Sequence, residues 1–274
     1  MDIRQELKEY GHENAPFSLI REKEGVTVAR VFLENGTAIL KAFEKGVSAR
    51  EIENYRILAS LGIPTLKLMG SAPRSLLMED IAASQELRLG TEEDLDDPEV
   101  IRALARWYRE LHARGAEYVR LHGEGMYDED DLFTRENVLM TGERLGISEC
   151  PAFREIAESF DGIRAALDSA VKTLCYNDFY YTNLAVSRDK SRALMFDYNL
   201  LGKGSPENDV MNAAYWFSEE NTALFLEEYG IVDRSMTELR HRIAPVISLI
   251  SALQRGIFPD WAQEALEELK KPRE

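Results

Sequence analysis

The stretch LCYNDFYYTNLAVSRDKSRALMFDYN occupies residues 174–199 of a 274-residue chain. It interrupts a helical region. Apolar residues recur at helical spacing before it, over 152–172, and again after it from about 208. Within it a polar loop leads into a short apolar run at 184–186. A polar turn at 187–192 and a second apolar run at 193–196 follow, which is the pattern of a small hairpin. Four acidic or amide residues stand in or just beyond it: Asp178, Asn183, Asp197 and Asp209.

Asp178 and Asn183 lie five residues apart, the D-x-x-x-x-N interval of a phosphoryl-transfer catalytic loop. The interval has a mechanical reason. The Asp must face an acceptor hydroxyl, while the Asn turns back towards a metal on the nucleotide phosphates. Asp197 follows the apolar run ALMF, so it is a carboxylate at a strand end beside the same loop. One carboxylate and one amide suffice for Mg²⁺, which favours a few hard oxygen ligands and keeps several waters.

Working outward, VTVARVFL at 26–33 and TAILKAF at 37–43 alternate as strands and flank Asn35-Gly36, a tight-turn pair. FSLIREKEG at 17–25 reads as another strand. Ser48 and Glu51 read as a capping box opening a helix that Gly62 and Pro64 end. Short strands follow at 65–70 and 75–79, around a turn at Pro73, giving the order β-β-β-α-β-β. Residues 101–115 and 152–172 are each expected to be a helix. Lys41 interrupts an apolar strand, where a charge is costly unless paired. Alone it reads slightly better as an edge lysine facing solvent. Beside the loop it also reads as a phosphate-binding lysine positioned by Glu51 on the next helix.

Together these segments resemble the aminoglycoside phosphotransferase/choline-kinase-like family over about residues 17–217. Family loops look like HGDxxxxN; here the segment is Tyr176-Asn177-Asp178-Phe179-Tyr180-Tyr181-Thr182-Asn183. Phe196-Asp197-Tyr198 resembles the family's I-D-W/Y. Gly204-Ser205-Pro206-Glu207-Asn208-Asp209 resembles its G-x-P-x-x-D, and Arg50-Glu51 with Tyr55 and Leu58 resembles its R-E helix. Leu111-His112 matches a helix-end pair of the family. The resemblance implies an α+β, two-lobed protein-kinase-like fold. A small antiparallel β-sheet N-lobe with one helix would span 1–80, with a hinge at about 79–83. A larger, mainly helical C-lobe over 81–274 would carry the catalytic-loop hairpin.

The resemblance further implies an ATP- and Mg²⁺-dependent transfer to a hydroxyl of a small acceptor. Asp178 would be the base. Asn183 and Asp197 would hold Mg²⁺, and Lys41, paired with Glu51, would hold the phosphates. Backbone groups of Glu79 and Ile81 would hold adenine. Asp209 would brace the loop and His112 would be a packed core residue. Tyr180, Tyr181, Glu219, Glu220 and the 124–136 stretch are candidates for the acceptor side. Two departures stand out. Tyr176-Asn177 replaces His-Gly, and only Gly25 offers a turn where a glycine-rich phosphate loop is expected. A nucleotide-binding pseudokinase is the alternative that these departures leave open.

Composition narrows the classes. The net charge is −16, which argues against nucleic-acid binding through a broad basic face. Residues 1–80 carry 11 basic and 12 acidic side chains, so almost all of the excess lies beyond them. The runs at 91–99 and 127–131 read first as solvated surface, and second as a negative rim favouring an amino-bearing acceptor. Two cysteines argue against a disulfide scaffold. No apolar run is long enough to span a membrane, and the N-terminus is polar, so a cytoplasmic protein is expected. Oligomeric state is not legible.

Overall fold

The computed structural model describes residues 2–271. In chain order its elements are α1 (Ile3–Lys8), β1 (Phe17–Lys23), β2 (Val26–Leu33), β3 (Gly36–Phe43), α2 (Arg50–Ser60), β4 (Leu68–Ala72), β5 (Ser75–Glu79), β6 (Leu87–Leu89), α3 (Pro98–His122) and α4 (Arg135–Leu145). There follow α5 (Pro151–Glu158), α6 (Phe160–Ser169), β7 (Thr173–Cys175), β8 (Leu184–Ser187), β9 (Ala193–Met195), β10 (Gly202–Gly204), α7 (Pro206–Ala214), α8 (Glu219–Tyr229), α9 (Arg234–Arg255) and α10 (Asp260–Lys270). The chain packs as two compact units. One holds the residues up to Arg114, Asp178–Leu201 and Ala213–Gly230. The other holds Gly115–Asn177, Gly202–Asn212 and the described residues from Ile231 on.

The first unit contains an antiparallel sheet in the order β1-β2-β3-β5-β4. Strand side chains alternate between faces. One face carries Ala29, Val31, Ala38, Leu40, Ala42 and Leu77, all buried, and α1 closes this core with Ile3 and Leu7. Burying a side chain such as Leu7 is worth about 1.5–3 kcal/mol. The Asp2 carboxylate caps α1 by accepting from the N–H groups of Arg4 and Gln5. The sequence reading missed this helix, because six residues with two apolar positions leave no periodic signal. The opposite face carries Lys41 between its cross-strand partners Val28 and Leu76, and Ile39 between Arg30 and Met78.

Helix α2 opens at Ala49 without a side-chain cap, so Ser48 and Glu51 form no capping box. Glu51 is buried and spends its carboxylate elsewhere. The quoted stretch forms the expected hairpin, β8–β9, which β6 extends to a three-stranded sheet.

In the second unit, β7 pairs antiparallel with β10. The stretch expected as one helix over 152–172 is two, α5 and α6, broken at Ser159. Its apolar spacing runs straight through the break, so periodicity alone could not reveal it. Phe153, Phe160 and Ile163 share a core with Val246 and Ile250 of α9. Arg240 of α9 makes a bidentate ion pair with the buried Asp130, which also binds Lys172 at 3.1 Å. No helix among the described residues is long and apolar enough to cross a membrane.

Candidate active site

Two peptide N–H groups lead into Asp178. Those of Tyr176 and Asn177 donate to the Asp209 carboxylate at 2.6 and 2.8 Å. Asn177 sits at φ 63°, in the left-handed region. Glycine enters that region freely, and asparagine is one of the few L-residues that tolerate it. This explains why Asn can stand where the family pattern has Gly. Its side chain is tied down as well: Nδ2 donates to the Cys175 carbonyl, and Oδ1 accepts from Asn208 Nδ2.

Asn183 ends a single 3₁₀ turn, Tyr181–Asn183. Its side-chain amide donates to the Asp178 carbonyl at 3.5 Å, and its own carbonyl accepts the Phe196 N–H at 2.9 Å. The loop of Asp178 and the residue before Asp197 are thereby joined. Asp197 itself is held at φ 63°. Such outliers cost of order 1–3 kcal/mol and cluster at functional sites.

Lys41 is not an edge residue facing solvent, since β3 lies between β2 and β5. Its Nζ is 2.6 Å from Glu51 Oε2 and donates to Asp197 Oδ1 at 2.8 Å. Burial alone would lower the Lys41 pKa, but the two carboxylates outweigh it and raise it, so the amine stays charged. Burial pushes Glu51 up to about 7, and Lys41 only partly offsets this. Helix α2 is itself fastened to the chain beyond Asp197. Asn54 Nδ2 donates to the Tyr198 carbonyl at 2.7 Å, the ring of Tyr55 meets that of Tyr198 edge-on, and Arg50 donates to the Asn199 carbonyl. The sequence reading missed Asn54. Its signal was a polar residue one turn from Glu51, on a face of α2 that is otherwise apolar.

Glu79 ends β5, and its N–H donates to the Lys67 carbonyl at 2.9 Å. In a regular antiparallel pair Lys67 would return a bond to the Glu79 carbonyl. Instead the Lys67 N–H goes to Glu79 Oε1 at 2.7 Å. Ile81 is buried two residues on, at the start of the turn Ile81–Ala83. His112 is buried and hydrogen-bonded through Nδ1 to the Tyr229 hydroxyl at 2.8 Å.

The acceptor-side candidates separate. Tyr180 is 42% exposed, stacks on Tyr181 and meets Trp216 edge-on at 4.8 Å. Glu219 and Glu220 are exposed on the first turn of α8, where negative charge suits the helix dipole. The acidic runs are less free than their composition suggests. Asp94 binds Arg88, Asp97 binds Lys190, Asp128 binds Lys172, and Asp130 binds Arg240. The run at 127–131, one of the two read as a negative rim, therefore includes two buried, paired carboxylates, Asp128 and Asp130.

The donor set fits a hard divalent cation, since Asp197 offers carboxylate and Asn183 amide oxygen. At the tip of β1–β2 the turn is only two residues long, with Glu24 at φ 53° and Gly25 at φ 74°. Lys23 pairs directly with Val26. The Gly25 carbonyl accepts the Glu44 N–H at 2.8 Å, and a Cβ on Gly25 would lie 2.4 Å from Val47. No glycine-rich flap is built here.

The chain is similar in structure to a streptomycin–ATP–APH(2″)-IIa ternary complex, with a TM-score of 0.71, 17% identity, and 98% of each chain covered. It is also similar to a choline/ethanolamine kinase family protein from Mesorhizobium loti, with a TM-score of 0.69 and 15% identity over 98% of this chain and 92% of that one. A macrolide 2′-phosphotransferase from Brachybacterium faecium gives 0.64 and 17% over 98% and 99%. At these identities the likeness establishes the protein-kinase-like fold. Among curated protein sequences none matches. The family model described as the phosphotransferase enzyme family matches residues 19–246, and the chain belongs to that family.

Proposed function

We propose that the chain is a small-molecule kinase that moves the γ-phosphoryl group of Mg–ATP to an acceptor hydroxyl. The observation that carries this is the convergence of Lys41 on Glu51 and Asp197, with Asp197 tied through Phe196 to the loop of Asp178 and Asn183. In this reading residues 1–80 bind the nucleotide and the rest of the chain carries the catalytic loop and the acceptor side. The Glu79 carbonyl and the Ile81 N–H take the adenine edge. Lys41, charged and immobilised, takes phosphate oxygens. Asn183 and Asp197 would hold Mg²⁺, which would supply charge neutralisation for the transferring group.

Asp178 orients the acceptor hydroxyl and receives its proton as the oxygen bonds to the γ-phosphorus. The bond to the bridging oxygen breaks and ADP leaves with the electron pair. Catalysis is positioning plus charge neutralisation, and no covalent enzyme intermediate is needed. With the β1–β2 turn closed, the chain's own grip on the triphosphate falls to Lys41. On the acceptor side, Tyr180, Tyr181 and Trp216 form an aromatic cluster. No Lys or Arg occurs from Ser205 to Asp233. Both features favour an amino-bearing acceptor. A cytoplasmic setting suits ATP use and the two free cysteines, Cys150 and Cys175.

An ATP-consumption screen over cationic and neutral hydroxyl compounds tests the reading. A productive acceptor is expected among the amines. Asp178→Asn is expected to abolish turnover while nucleotide binding stays intact, and turnover that persists overturns the assignment of the base.

A further inference from the structure

Asp80 stands between the two residues proposed to hold adenine. It is almost wholly buried, with 3% of its side chain exposed, yet it belongs to no catalytic motif. Its carboxylate collects four hydrogen bonds. Arg30 of β2 donates through Nε at 2.5 Å and through Nη2 at 3.3 Å. Thr37 of β3 donates from Oγ1 at 2.8 Å, and the Ala82 N–H donates at 3.2 Å. Burial would raise this acid, but the bonds from Arg30 and Thr37 outweigh it and hold Asp80 below its usual value. The carboxylate therefore stays ionised at neutral pH. Arg30 and Thr37 project from the same sheet face as Lys41, since residues alternate along both strands.

We infer that Arg30, Thr37 and Asp80 form a clamp that positions the nucleobase-binding backbone, and that Arg30 and Thr37 are positioning residues for the purine. The inference rests on the proposed adenine seat at Glu79 and Ile81. Beyond Glu79 the ladder with β4 ends, because Lys67 bonds the Glu79 side chain in place of its carbonyl. From that point the chain has no sheet partner to fix its path towards Ile81. A bidentate pair between the partly exposed Arg30 and the buried Asp80 carboxylate supplies the missing constraint, with defined geometry. It ties the segment to β2 and β3, the strands that also fix Lys41. Base and phosphates are then read against one frame.

The test is binding of three probes to the full chain: adenosine, Mg–ATP and Mg–tripolyphosphate. Arg30→Met removes the clamp and leaves the Asp80 cap on Ala82. It is expected to weaken adenosine and Mg–ATP roughly tenfold and to leave Mg–tripolyphosphate unchanged, because only the base seat has moved. In turnover, KM for ATP rises by the same factor with kcat unchanged. Thr37→Val gives the same pattern to a smaller degree, and serves if Arg30→Met fails to fold. Asp80→Asn, which keeps capping ability, tracks Arg30→Met. Equal weakening of tripolyphosphate would mean a disturbed sheet and would overturn the inference, as would unchanged adenosine binding or a wild-type protein that binds tripolyphosphate but not adenosine. A protein that shows the expected pattern yet phosphorylates no acceptor supports the clamp and overturns the kinase reading.

Discussion

Asn177 occupies a position that only glycine enters without strain, and it stays there because both ends of its side chain are bonded. Asn177→Gly is expected to keep activity, since glycine recovers the left-handed conformation at no steric cost. Asn177→Ala loses the bonds and keeps the strain. It is expected to cost about 1–2 kcal/mol, read by thermal or chemical unfolding, and to lower kcat through the neighbouring Asp178. At this scale much was legible in advance. The Asp178–Asn183 interval, the carboxylate at the end of ALMF and the lysine inside an apolar strand are all sequence facts, and the structure brings Lys41 onto Asp197. The role of Glu51 was ambiguous, because a glutamate three residues after Ser48 looks the same whether it caps a helix or pairs with a lysine. Only the packing of α2 against β3 decides between these. Asp80 was silent, since its partners lie 50 and 43 residues away and no local pattern announces them.

Among the elements, α2 carries Glu51 on one turn and Asn54 on the next. Asn54 is buried, and its amide fastens the helix to the carbonyls of Tyr198 and Leu201. Asn54→Ala removes that donor, while the Tyr198 carbonyl keeps the Leu201 N–H at 3.2 Å, and a lost hydrogen bond of this kind costs about 0.5–1.5 kcal/mol. The expected outcome is a lowered unfolding midpoint together with weaker Mg–ATP binding, because the same helix presents Glu51 to Lys41. A stability loss with unchanged nucleotide affinity would separate the two roles. The β-β-β-α-β-β succession, α2 and the β8–β9 hairpin followed from periodicity and turn chemistry. Helix α1 and the break at Ser159 did not. The first is too short to show a period, and the second lies inside an unbroken one.

Across the whole molecule, the net charge of −16 is the unpaired remainder of a larger acid content. Part of that acid content, though none of the excess, sits in ion pairs that hold elements together, and the Asp130–Arg240 pair is deeply buried on both sides. Asp130→Asn leaves Arg240 uncompensated and is expected to destabilise the fold by about 3–5 kcal/mol in denaturant titrations. Burial alone would raise the Asp130 pKa, but Arg240 and Lys172 hold it below its usual value. The native state therefore binds fewer protons than the unfolded chain. The stabilisation is complete above the ordinary carboxylate range and fades as pH falls through the depressed native value. Wild type is expected to lose stability on that acid limb, and Asp130→Asn to lose correspondingly less.

The short β1–β2 turn carries a kinetic consequence. A flap that closes over phosphates must reopen before spent nucleotide departs, and that motion often caps turnover. Here the tip has two residues, is bonded to Glu44 and abuts Val47. It has no slack to swing. On the proposed kinase reading, escape of ADP would then be governed by how tightly it is held, and the shielding of the reacting phosphate from water would come from somewhere other than a moving hairpin.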